Sequence, residues 1–417
     1  MTIKRILIIQ TAFLGDVILC TPLIKATRKL FPQSFISFLL IPETKNVLEN
    51  NPYLNEIIVF DKRGKERGLK NFFKMVAKIK KRNFDLAIIP HRHLRSALLS
   101  YLAKIPQRIG FNKSTGFFLL TQKVKYQKNL HEIDRNLHLL KPFIPDILIQ
   151  REEISSLTPH PIPPTDFVSL NSMNFTSFNL PQGERGLSKL PPPLSAEGGS
   201  ASGRMGGGKG EGDYVILLNF LATDKIPELF PSPQDFSYAQ ELLLNSGIKG
   251  NDKMVGIAPG SIWATKRWLP ERFAEVSDLL IKEADARVIF LGSKEDEKLC
   301  LEIANLMQEK PVILAGKTNI LQSAAIISKC KVILSNDSAP VHIASAMKKP
   351  VVAIFGSTIP EFGFAPYGQG HIIIEKKIEC RPCGIHGKNK CPKKHFKCMT
   401  EITTLEVFEA LLIKLGI

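Results

Sequence analysis

The sequence predicts an α/β protein made of two successive domains, each built on a parallel sheet. Short runs rich in Ile, Val and Leu alternate with stretches of helical periodicity in both halves of the chain. Such alternation sets strands side by side in parallel, because each connection is a helix that covers a face of the sheet. At 417 residues the chain exceeds what one hydrophobic core usually organises. Between the halves, at about 155–213, Gly, Pro and Ser dominate, and such a segment buries too little apolar surface to offset ordering.

In chain order, KRILIIQ (4–10) reads as the first strand, Thr11 to Asp16 as a tight turn, and VILCTPLIKATRKLF (17–31) as a helix. SFISFLLIP, NEIIVFD and FDLAIIP give three more strands. Between the last two lies a basic segment in which Phe72, Phe73, Met75, Val76 and Ile79 recur at amphipathic spacing, so that they either pack inward or meet an interface. The second half resumes with MVGIAPG, RVIFLGS, PVILAG, KVILSND and PVVAIFG, each followed by a helical stretch. The expected organisation is a first domain over 1–154, a flexible insert over 155–213, a second domain over 214–403 and a final helix over 404–417.

Composition excludes some classes. With 44% hydrophobic and 23% charged residues the chain is globular rather than disordered throughout. No run of eighteen apolar residues occurs and no signal peptide is legible, so the expected compartment is the cytosol. Lys and Arg exceed Asp and Glu by 17, which predicts an anionic partner: phosphate-bearing lipid, a membrane surface or nucleic acid. The aromatic-and-basic stripe of single-strand binders is missing, which disfavours nucleic acid.

The first strand is not followed by G-x-G-x-x-G, and the chain has no G-x-x-x-x-G-K-[ST]. Nicotinamide and P-loop chemistry are thereby disfavoured. The run from Gly206 to Gly210 lacks the strand, the Ser or Thr and the helix that a phosphate loop needs, and reads as insert. Asp16 stands at the strand-to-helix edge where α/β sheets bind ligands, either as a helix-start acid favoured by the dipole or as a general base. Ser261 follows Pro259 and Gly260 after a strand, with Lys266 and Arg267 next, a pattern suited to a diphosphate or to a solvated basic pair. Asp337, Ser338 and Ala339 precede a helix whose first amides either hold an anion or are simply capped. Glu295 follows another strand, where an acid binds ribose hydroxyls or starts a solvated helix. His342 is given no catalytic role.

Cys20, Cys300 and Cys330 read as small core residues. Cys380, Cys383, Cys391 and Cys398, with His386 and His395 nearby, leave structural zinc, reduced thiols and disulfides open.

The turn LGD (14–16), PGSIWATKRWLPERF (259–273), AGKTNILQSAAII (315–327) and SNDSAPVHIASAMKKPVVAIFGST (335–358) together resemble glycosyltransferase family 9, over about residues 1–150 and 225–417. Within it, CRPCGIHGKNKCPKKHFKCM is most similar to the heptosyltransferases of type II. The resemblance implies a GT-B fold, in which two Rossmann-like domains face each other across a cleft. It implies inverting, metal-independent transfer of heptose from ADP-heptose to an anionic lipopolysaccharide inner-core acceptor, at the inner face of the inner membrane, with no cofactor beyond the nucleotide-diphosphate sugar itself. By position it makes Asp16 the catalytic base, Lys266 the diphosphate lysine, and Asp337, Ser338 and Ala339 the loop whose backbone holds the phosphates. A final helix packed back across the domains is implied as well.

Overall fold

A strand covered on both faces must be apolar wherever it is buried, and β1 (Arg5–Ile9) meets that demand after its first residue with Ile6, Leu7, Ile8 and Ile9, all fully buried. In the computed structural model, which describes residues 3–143, 168–169 and 225–417, β1 lies between β2 (Phe35–Leu40) and β4 (Leu86–Ile89). Adding β3 (Glu56–Val59), β5 (Gln107–Phe111) and β6 (Gln122–Val124) gives a wholly parallel sheet of order β3-β2-β1-β4-β5-β6. Alternation along β1 divides the core. Ile6 and Ile8 join the cluster of α1 (Leu14–Ile18), α2 (Thr21–Leu30) and α6 (Glu132–His138). Leu7 and Ile9 join that of α4 (Leu69–Lys80) and α5 (Leu94–Leu102).

The helix expected over 17–31 is two helices. Pro22 has no N–H, and its ring would meet the carbonyl of Ile18, so the chain breaks at Leu19–Cys20 and restarts with Pro22 in the first turn of α2. The hydroxyl of Thr21 donates to Ile18 O at 2.8 Å and replaces the lost bond.

The second sheet repeats the first. Its strands β8 (Lys253–Ala258), β9 (Ala286–Phe290), β10 (Val312–Ile313), β11 (Val332–Asn336), β12 (Val351–Phe355) and β13 (Ile372–Glu375) run in the order β10-β9-β8-β11-β12-β13. Each half thus has the strand order of a dinucleotide-type doubly wound sheet. A two-residue strand β7, Val168–Ser169, pairs in parallel with Ile372 and Ile373 at the far edge. These residues belong to the stretch read as a flexible insert; the remainder of that stretch lies outside the described residues.

The second sheet is flanked by α7 (Pro233–Asn245), α8 (Pro270–Ala284), α9 (Glu297–Leu306), α10 (Ile320–Ile327) and α11 (Ala339–Ala346), followed by the short α12 (Lys397–Thr400) and the final α13 (Thr404–Leu415). A capping box between Thr403 and Glu406 starts α13. Its buried face, Val407, Ala410 and Leu411, lies in the core of the second domain against α8 and β11 to β13. The expected packing across both domains is therefore not what this face does.

The domains meet through α1 on α11 and through α3 (Lys45–Leu48) on α10, where Leu321 N donates to Asn46 Oδ1 at 2.9 Å. A third contact joins the start of α6 to residues 362–365: Glu132 N donates to Gly363 O at 2.8 Å and Arg135 Nη2 to Phe362 O at 2.8 Å. Gly363 has φ +87°, and a Cβ there would come within 2.5 Å of Leu130 O. Only glycine fits that approach.

Candidate active site

In each sheet the connections from the two central strands leave in opposite directions, which opens a crevice beyond their C-terminal ends. Asp16 lies just past β1, Ser261 just past β8, and Asp337 to Ala339 just past β11. The topology thus delivers these candidates to the two crevices that face the domain boundary.

Asp16 is the third residue of α1 and accepts the Phe13 amide at 3.2 Å, so the helix-start reading has a geometric basis. Its surroundings add something else. The residue is half-buried, and desolvation by the surrounding protein, followed by the charge of Glu132, pushes its pKa up to about 7. The amides of Phe13 and Asp16 and the charge of Arg92 pull the other way without prevailing. An acid that exchanges its proton near neutral pH suits general-base work.

Glu132 pairs with Arg135 Nη1 at 2.8 Å, both side chains being almost wholly buried. Burial raises the Glu132 pKa in spite of that partner. Arg135 Nε donates to Gln127 O, and its Nη2 to Lys128 O and Phe362 O. On the far side of the turn, a Cβ on Gly15 would come within 2.9 Å of His342 Cδ2, so α11 of the second domain rests directly on the Asp16 turn. Burial, with the charges of His131 and Lys266 behind it, lowers His342 to about 3 and keeps the ring neutral.

In the second domain Lys266 Nζ lies 2.6 Å from Asp337 Oδ2, and Thr358 Oγ1 donates to the same oxygen at 2.6 Å. The Asp337 amide is committed to Ile354 O at 2.9 Å, whereas the amides of the N-cap Ser338 and of Ala339, at the start of α11, have no partner within the helix. Asn336 braces the two loops: its Nδ2 donates to Pro259 O at 2.7 Å and its Oδ1 accepts Trp268 N at 3.0 Å. Ser338 Oγ donates to Gly260 O at 3.2 Å, and the carbonyl of buried Ser261 accepts Arg267 Nε at 2.7 Å. Ser261, Lys266, Asp337, Ser338 and Ala339 therefore form one cradle. Glu295 is exposed; the acid that lies against the cradle is its neighbour Asp296, whose carboxylate fills the space a Gly260 side chain would need.

The cysteine-rich run covers the Lys266 turn. Thr265 and Lys388 exchange two hydrogen bonds, at 2.8 and 3.0 Å, and Cys383 N donates to Ser357 O at 2.9 Å. All seven cysteines are free thiols, which removes the disulfide reading. Cys380 Sγ is 3.6 Å from His395 Nε2, and among the described residues no three His, Cys, Asp or Glu side chains gather as a metal site.

Sequence reasoning passed over Glu132, Arg135 and Thr358, and quoted Asn336 without a role. It also passed over a polar chain beside the Asp16 turn, in which Lys62 Nζ donates to Thr11 Oγ1 at 2.9 Å and His91 Nδ1 bonds Thr11 Oγ1 at 3.1 Å and Ser96 Oγ at 2.7 Å.

Comparison with known proteins agrees with this architecture. The sequence pattern of glycosyltransferase family 9 (heptosyltransferase) matches residues 72–155 and 227–395. A lipooligosaccharide heptosyltransferase 2 from Haemophilus ducreyi is 25% identical over 366 residues, covering 86% of this chain and 85% of that protein. Another from Campylobacter jejuni is 32% identical over 168 residues, 39% of this chain and about half (52%) of that protein. Among solved structures, a family 9 glycosyl transferase from Veillonella parvula superposes with a TM-score of 0.71 at 22% identity, covering 99% of this chain and 97% of its own. The ADP-heptose lps heptosyltransferase II of E. coli gives 0.64 at 22% identity, covering 99% of both chains. The matched pattern spans well over half of the sequence and both sheets adopt the GT-B arrangement, so the chain belongs to glycosyltransferase family 9 (heptosyltransferase).

Proposed function

We propose that the protein is an inverting heptosyltransferase of lipopolysaccharide core assembly, moving heptose from ADP-heptose to an anionic inner-core acceptor. The observation that carries this reading is the juxtaposition, through His342, of an acid poised near neutral pH on one domain and a lysine-and-amide cradle on the other. The names of the relatives and of the E. coli structure supply donor and acceptor class.

In this reading ionised Asp16 removes the proton from an acceptor hydroxyl as its oxygen attacks the anomeric carbon. The bond from that carbon to the diphosphate breaks on the opposite face, inverting configuration, and ADP departs with the electron pair. Lys266 and the amides of Ser338 and Ala339 receive the developing charge. Lys266 then exchanges its contact with Asp337 for the diphosphate, while Thr358 keeps the Asp337 carboxylate in place. One point charge and a helix N-terminus suffice for this, so transfer proceeds without a divalent metal. The acceptor is lipid-borne, so the enzyme works at the inner face of the inner membrane as a peripheral protein. Among the described residues no helix is long and apolar enough to cross a membrane.

The test is incubation of purified protein with truncated lipopolysaccharide acceptors and a panel of nucleotide sugars, with and without a chelator. Transfer from ADP-heptose with inverted anomeric configuration and indifference to chelation is expected. Transfer only from another nucleotide sugar, or retention of configuration, would contradict the reading.

A further inference from the structure

We propose that α4, α5 and the turn Phe117–Leu119 form the face by which the first domain docks on an anionic lipid surface, a proposal that rests on the lipid-borne acceptor inferred above. The amphipathic segment turns out to point both ways. Phe72, Met75, Val76 and Ile79 are buried in the core, whereas Leu69 and Phe73, one helical turn apart, are 76% and 56% exposed. The neighbouring α5 exposes Leu94 and Tyr101 in the same manner, seven residues and therefore two turns apart. The turn after β5 exposes Phe117 and, at 63%, Phe118.

These three elements are in contact. α4 packs on α5. Gly116 sits so close to α5 that a Cβ would come within 2.7 Å of Ala97, and Leu94 N donates to Thr115 Oγ1 at 2.7 Å. Single exposed apolar residues are unremarkable on any surface. Here, among the described residues of the first domain, six of the seven exposed large apolar residues fall on these three elements, the seventh being Phe13.

Charge selects the occupant. From Lys62 to Lys128 the chain carries eighteen Lys or Arg against two acids, Glu66 and Asp85. Both acids are engaged locally, Glu66 by the Asp61 amide at 2.7 Å and Asp85 by the amides of Lys4 and Arg5 at 2.8 Å. Lys65, Arg67, Lys70, Lys74, Arg95 and Lys123 stand exposed around the apolar residues. Aromatic side chains ringed by cations suit the boundary between acyl chains and anionic headgroups.

Position adds a third argument. Leu69 and Leu94 are the first residues of helices that follow β3 and β4, and Phe117 follows β5. All three stand beyond the same C-terminal edge of the sheet at which Asp16 follows β1. Docking by this face brings the bilayer to the rim of the cleft, where the sugar of a lipid-anchored acceptor reaches Asp16.

Co-sedimentation of the full chain with phosphatidylethanolamine/phosphatidylglycerol vesicles and with phosphatidylcholine vesicles tests the proposal. Binding to the anionic vesicles, weakened by salt, is expected. The double variants Phe117→Ser/Phe118→Ser and Lys70→Glu/Lys74→Glu should each lose about tenfold or more of that binding, with thermal stability and transfer to a short soluble acceptor unchanged. Undiminished binding by both variants, or equal binding to neutral vesicles, overturns the proposal. So does a wild-type dimer that either double variant converts to monomers while vesicle binding persists, because the face would then belong to a second copy. Vesicle binding that both variants lose, in a protein that transfers no heptose to any acceptor, supports the docking face while contradicting the functional reading.

Discussion

Lys266 is held by Asp337 at 2.6 Å in the cradle, so the residue proposed to serve the donor is already oriented before a donor arrives. Its replacement by Ala removes a charge-assisted contact worth about 1.5 to 3 kcal/mol. Donor affinity, measured by calorimetry with ADP, should therefore fall by about ten- to a hundredfold; unchanged affinity would remove Lys266 from the diphosphate. A second prediction concerns Glu132, whose buried charge helps to raise Asp16. Because the base works only when ionised, activity should rise with pH through about 7, the value at which Asp16 loses its proton. Glu132→Gln removes a negative neighbour and leaves Arg135 uncompensated, and both changes favour the ionised form of Asp16. The rising limb of kcat/KM should move to lower pH in the folded variant; an unmoved limb would show that Glu132 does not act on Asp16.

At the scale of elements, the strands were legible wherever burial on both faces forces a continuous apolar run, as in β1, β8, β11 and β12. QRIGF and QKV, which form β5 and β6 toward the sheet edge, carry no such run and were not read as strands. The break before α2 was written in Pro22 but outweighed by apolar periodicity on either side. Asp16, Ser261, Lys266 and Asp337 were legible because each sits in a local strand-to-turn signature. Glu132 and His342 were not, since their importance comes from which distant segment packs on them: for His342 the turn at Gly15, for Glu132 the chain around Gly363. The latter contact yields a third prediction. Gly363→Ala forces a side chain into a positive-φ position 2.5 Å from Leu130 O, so stability should drop by more than the ~1 kcal/mol that a Gly-to-Ala change gains at a compatible site. An unchanged melting temperature would mean that the domain contact yields freely there.

Over the whole molecule, two sheets of the same strand order set their switch-point crevices toward one boundary. In the proposed reading base and acceptor belong to the first domain and donor phosphates to the second, and the domains touch beside Asp16 through Gly15 and His342. Asp16 is the proposed base, and Asp16→Asn is the variant that decides. Its raised pKa means that the folded protein prefers the protonated carboxyl: ionisation above about 7 costs stability, and that cost is absent below the ordinary value of 3.8. An amide removes the charge, so the variant should melt no lower than the wild type at pH 8, whereas a mere helix-start acid would lose about 0.3 to 1 kcal/mol on replacement. The decisive measurement is turnover with saturating ADP-heptose and acceptor. A fall of about 10²- to 10⁴-fold with donor affinity retained is the predicted result, and near-normal turnover would contradict the assignment of Asp16 as the base.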